Sequence, residues 1–115
     1  MRIPAVALFA IIIASSAAHA HAQLEHATPS VGSTVSSSPG QVTMHFSEKL
    51  ERGFSKAQVF SASGGRVDQG TEVNGNAMTV RLKPLPPGTY DVRWQVLSVD
   101  THKTEGSFSF TVQGR

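Results

Sequence analysis

The chain is predicted to fold as an all-β, seven-stranded Greek-key sandwich or barrel of the immunoglobulin-like kind. Three observations predict it. Apolar and polar residues alternate with period two in several short runs. Clusters of Gly, Pro, Asn and Ser separate those runs, and no heptads, repeats or amphipathic helix longer than a turn or two occur between them. Seven short strands joined by tight turns suit two packed sheets. The architecture by itself carries no chemistry.

The first element is a leader. Met1-Arg2 is a short basic start, Ile3 to Ala14 is almost unbroken apolar, and Ala18-His19-Ala20 has the A-x-A form of a signal-peptidase site. The apolar run is too short to span a bilayer. Residues 1–20 are therefore expected to be a secretory signal peptide, and residues 21–115 a single domain.

Strands are predicted at 22–28, 41–46, 56–61, 66–73, 77–83, 88–97 and 106–112. In Val42-Thr43-Met44-His45-Phe46 the even positions are apolar and the odd ones polar, and Met78-Thr79-Val80-Arg81-Leu82-Lys83 keeps the same parity. Tyr90, Val92, Trp94 and Val96 repeat it, with Asp91, Arg93 and Gln95 on the other face; Phe108, Phe110 and Val112 complete the set. Period-two alternation sends each apolar set to one side of its strand, toward a shared core. Asn74-Gly75 is a strong hairpin signal because both residues tolerate positive φ. Ser63-Gly64-Gly65 and Pro84-Leu85-Pro86-Pro87-Gly88 read as further turns. The stretch from Thr28-Pro29 to Pro39-Gly40 reads as a polar, breaker-rich connection.

Composition narrows the function. The chain has no cysteine, which excludes disulfides, thiolate metal sites and a cysteine nucleophile. Its 10 Lys and Arg, one of them Arg2 in the leader, face 8 Asp and Glu, so the mature domain is near neutral. Neither nucleic acid nor an anionic membrane surface is implied as a partner. No second apolar stretch is long enough to insert the mature chain into a membrane. The serines have no neighbouring acid-and-base arrangement, so no nucleophile is apparent.

Two features point to a metal. Cutting after Ala20 makes His21 the first residue, with a free α-amine beside its imidazole. The amine's reference pKa of about 7.7–8.0 lets a metal displace its proton near neutral pH. Asp100-Thr101-His102 lies between the last two predicted strands. If that segment is extended, the two side chains share a face, with Cα atoms about 6.5–7 Å apart. Three nitrogens and one oxygen without sulfur suit Cu(II) or Ni(II), with copper the tighter binder. Zinc could use similar ligands, but two nitrogens from one residue fit a planar site better than a tetrahedral one. An Asp-x-His motif alone is common and reads as a polar loop; the pairing with a mature N-terminal histidine raises it above that. Cleavage after Ala18 would instead begin the chain His19-Ala20-His21, a different copper chelate.

The other histidines have plainer readings. His26 is expected to be a solvent-facing or rim residue of the first strand, with a metal-ligand role as the lesser alternative. His45 is expected to lie on the polar face of its strand in a hydrogen-bonding or solvated role. Trp94 is in phase with core residues and reads as a core aromatic.

His21-Ala22-Gln23-Leu24, Thr28-Pro29 with Gly32, His45-Phe46-Ser47-Glu48, Gly88-Thr89-Tyr90 with Trp94, and Ser98-Val99-Asp100-Thr101-His102 with Gly106 and Phe108-Ser109-Phe110 resemble the CopC family of periplasmic copper-binding proteins. The resemblance spans essentially the whole mature chain. It implies a seven-stranded Greek-key β-barrel, a periplasmic location and a Cu(II) site made by His21, Asp100 and His102. Glu48 matches a glutamate that lies near that site in some members, as a weak or outer ligand. The implied partners are copper itself and a membrane copper transporter. Some members also bind Cu(I) through a methionine-rich stretch. Here the matching region, about residues 60–78, offers only Met78, whose parity buries it, and Met44 is expected in the core as well. A soft site needs several sulfurs, so a Cu(II)-only member is expected.

The function implied is sequestration or delivery of Cu(II) in copper homeostasis or resistance, without catalysis. Two other classes fit parts of the sequence. A small copper oxidase would show peroxide-driven oxidation of a sugar polymer, and a metal-free immunoglobulin-like module would keep partner binding after loss of His21 and His102.

Overall fold

The computed structural model describes residues 22–114. The expected leader, residues 1–20, and His21 lie outside the described residues. Eight strands follow in order: β1 (Leu24–Thr28), β2 (Thr34–Val35), β3 (Gln41–Phe46), β4 (Lys56–Ser61), β5 (Asp68–Asn74), β6 (Ala77–Leu82), β7 (Gly88–Leu97) and β8 (Lys103–Val112). They form two four-stranded sheets, ordered β1-β3-β6-β5 and β2-β8-β7-β4. The sheets face each other as a sandwich and do not close into a barrel.

Parity explains where the core sits. Val42, Met44, Phe46, Met78, Val80 and Val92 are fully buried, each at 0 % exposure, and Phe110 and Val96 reach 1 %. All occupy the alternate positions that period-two reading assigns to the inner face. Tyr90 buries its ring against Phe110, with centroids 5.7 Å apart, and its hydroxyl donates to the Pro86 carbonyl at 2.5 Å. The polar tip is thereby satisfied inside an apolar layer.

Three local features differ from expectation. β2 lies within the segment expected to be a plain connection; Thr34 and Val35 pair in parallel with Thr111 and Val112. β8 begins at Lys103 and not at Gly106, because the β7–β8 ladder runs from Gly88↔Val112 up to Leu97↔Lys103. The β5–β6 hairpin turns on Gly75-Asn76, one residue later than Asn74-Gly75, since Asn74 still pairs with Ala77. Only Gly75 needs positive φ there, at 66°.

The Asp68 carboxylate links the two sheets. Asp68, at the start of β5, accepts two hydrogen bonds from Arg66 at 2.9 and 2.7 Å and one from the Val59 N–H of β4 at 2.9 Å. Its side chain is only 6 % exposed, while Arg66 stays 55 % exposed. Burial alone would push the carboxyl up; the hydrogen bonds from Arg66 and Val59 outweigh it and hold Asp68 below its ordinary range. A carboxyl depressed in the folded state stabilises the fold at pH above its unfolded value of about 3.9, and that stability is lost as pH falls through the folded value. Asp68→Asn is therefore expected to flatten the loss of stability below about pH 4, read from denaturant midpoints across pH. An unchanged acid slope would remove Asp68 from that role.

Candidate metal centre

The site is built at one end of the sandwich. The β7–β8 hairpin closes there through residues 98–102. The Ser98 N–H donates to the His102 carbonyl at 3.0 Å, and the Thr101 N–H donates to the Ser98 carbonyl at 2.8 Å. Thr101 takes φ of 71°, a left-handed conformation that a β-branched residue adopts reluctantly. The segment is thus a tight turn, so the extended geometry considered from sequence is not the one adopted. The turn nevertheless brings the expected pair together: His102 Nδ1 lies 3.3 Å from Asp100 Oδ1. Both side chains remain open to solvent, at 45 % and 44 % exposure.

Ser98 is the residue that sequence reasoning missed. Its side chain is fully buried, and its hydroxyl donates to the Asp100 carboxylate in a short contact. That hydrogen bond, followed by the neighbouring His102, holds the Asp100 carboxyl below its ordinary range despite some desolvation. Asp100 is therefore kept ionised, as a metal-binding oxygen must be. Apart from its place in the family-like segment, its signal was a serine two residues before an aspartate, which is a weak one.

A second wall comes from the end of β3. The Lys49 carbonyl accepts from the Val99 N–H at 3.0 Å and the Leu97 carbonyl accepts from the Glu51 N–H at 2.8 Å, with an isolated bridge between Leu50 and Ser98. This backbone stitching lays residues 49–51 alongside the hairpin that carries Asp100. Glu48 stands one residue before it, half-buried. Among the described residues no three His, Asp or Glu converge as a ready metal-binding group. Asp100 and His102 are paired; Glu48 is not drawn into the same cluster.

The start of the described chain is tied into this corner. Gln23 and Ser47 exchange hydrogen bonds, Gln23 N–H to Ser47 Oγ and Ser47 N–H to the Gln23 carbonyl, both 2.9 Å. Thr104 Oγ1 donates to the Ala22 carbonyl at 2.8 Å, and Ala22 is fully buried. Ala22 is thereby anchored to Thr104, two residues beyond His102. His21 itself lies outside the described residues. An imidazole beside an ionised carboxylate, both solvent-accessible, is a donor pair suited to a borderline divalent ion.

Residues 24–113 match the family model described as the CopC domain. The chain belongs to the CopC family. Copper resistance protein C of Pseudomonas syringae pv. tomato is 36% identical over 119 residues, a match covering 94% of each chain. Copper transport protein CutJ of Bacillus subtilis is 33% identical over 112 residues, which cover 93% of this chain and 21% of CutJ. The crystal structure of CopC from Methylosinus trichosporium OB3b superposes with a TM-score of 0.78 at 31% identity, covering 83% of this chain and 96% of that one. The relationship to CopC proteins implies a copper-related function, and copper binding with it. Met44 and Met78 are both fully buried, in keeping with their expected place in the core.

Proposed function

We propose that this CopC protein is an exported, periplasmic Cu(II) carrier that sequesters the ion or hands it to a membrane copper transporter, without catalysing a reaction. The observation that carries the reading is the anchoring of Ala22 beside the Asp100-His102 turn, which favours a site completed by the residue before it. In this reading His21 contributes its amine and imidazole nitrogens and His102 a third nitrogen. Asp100 adds an oxygen and offsets the ion's charge, and Glu48 acts at most as an outer ligand. Ser98 keeps Asp100 ionised and oriented, the kind of outer hydrogen bond that tunes metal affinity. The family supports copper as cargo. A copper transport protein of which the matching region is about a fifth supports a transporter as the recipient. The buried sulfurs of Met44 and Met78 support Cu(II) over Cu(I).

The test is a Cu(II) titration followed by electron paramagnetic resonance on protein beginning at His21 and on protein carrying one extra N-terminal glycine. Tight one-to-one binding with a nitrogen-rich tetragonal spectrum, altered or lost with the glycine, is expected. Equal and weak binding by both would remove the amine from the mechanism.

A further inference from the structure

We propose that His26 and His45 form a second, weaker site for a borderline divalent metal ion, on the outer face of the β1-β3-β6-β5 sheet. The two residues are cross-strand partners in the β1–β3 ladder. Their rings stack with centroids 4.4 Å apart and planes 22° from parallel. His26 is exposed and His45 half-buried. The pair is separate from the Asp100-His102 turn and independent of the function proposed for it.

The pairing is the product of a backbone irregularity. Alternation from Leu24, which packs on the core, would turn His26 inward as well. The register shifts between Leu24 and His26, so that one extra residue, Glu25, is inserted opposite β3. Leu24 and Ala27 then both pack inward, and Glu25 and His26 are both exposed. A bulge of this kind re-aims a side chain. Here it delivers His26 to the one position of β1 that lies directly across from His45.

Two imidazoles so placed suit a shared ion. Metal–nitrogen bonds of about 2.0–2.1 Å hold two ring nitrogens within roughly 4.2 Å of each other. The rings here are stacked face to face with their lone pairs in the ring planes, so binding requires each to turn an edge toward the ion. The terminal ring torsion of histidine is broad, so the rings can turn edges toward one ion without backbone movement. Imidazole selects Cu(II), Ni(II) and Zn(II) over hard cations. Among the described residues no third imidazole or carboxylate completes the group. The remaining coordination positions therefore fall to water, which makes this the weaker and more labile of two sites.

The test uses the mature chain with Zn(II) as a diamagnetic probe, read from the imidazole resonances of each histidine by NMR. His26 and His45 are expected to shift together along one shared isotherm. His26→Ala is expected to weaken the His45 response by at least ~10-fold, the loss that even an outer partner of a metal ligand can cause, and His45→Ala the His26 response equally. Amide dispersion of each variant reports that it is folded, and His26→Gln and His45→Gln serve if an alanine variant is not. The shared isotherm is also expected to survive His102→Ala, so failure of this site and failure of the proposed carrier site are read separately. Independent isotherms, an unaffected partner ring in the variants, or no shift in excess Zn(II) would overturn the proposal.

Discussion

Replacing His102 with alanine is expected to lower Cu(II) affinity by about 100-fold or more, since even outer-shell partners command 10–100-fold. The fold should be unaffected, because the side chain is half exposed and the hairpin is closed by backbone atoms of Ser98, Thr101 and His102. Competition against a chelator of known affinity reads the loss, with amide dispersion as the control. Asp100→Asn separates two roles within the same pair. If the carboxylate supplies charge and an oxygen to the ion, Asn weakens binding although it keeps the shape. An affinity unchanged by both variants would move the copper site away from this end of the sandwich.

A second large effect is expected at Gly106. It lies directly across from Trp94 in the β7–β8 ladder, and a Cβ built there would come within 2.6 Å of the indole ring. The indole cannot easily give way, because it also packs edge-on to Phe46 at 5.0 Å. Two effects of Gly106→Ala oppose each other. Removing a strand glycine gains roughly 0.5–1 kcal/mol, while forcing a Cβ against the indole costs about 1–3 kcal/mol. Overpacking wins, so a net loss is expected, with Gly106→Val worse. Gly40→Ala is the matched control, since a Cβ there meets nothing within 4 Å, and it should be neutral or slightly stabilising. Thermal midpoints decide the matter, at about 4–8 °C per kcal/mol for a domain of this size. A stabilised Gly106→Ala would show that the indole can move.

These cases indicate how much the sequence carried. Inner-face positions were legible because β3, β6, β7 and β8 keep strict parity over several residues, and only a core on one side selects for that pattern. β2 was not legible: two residues cannot show a period, and Thr34-Val35 becomes a strand only through its partner Thr111-Val112. The bulge at Glu25 was hidden for a related reason, since an extra residue appears only when one strand is set against another. At the site, Asp100 and His102 were found by residue type and spacing, although the extended geometry considered for them is not the one adopted. A positive φ at Thr101, where glycine or asparagine would have signalled a turn, draws the pair together. Ser98 was part of the family-like segment, but its role was not legible, because it lies in one buried hydroxyl aimed at Asp100.

The burial of Met44 and Met78 has a chemical side beyond packing. Both thioethers have no solvent exposure, and the chain contains no cysteine. Oxidation of sulfur depends on access of the oxidant, and a sulfoxide inside a core would disrupt it. Among the described residues, then, no sulfur is exposed to oxidants in the solvent. Oxidants in the solvent would meet exposed side chains first and leave the core sulfurs intact.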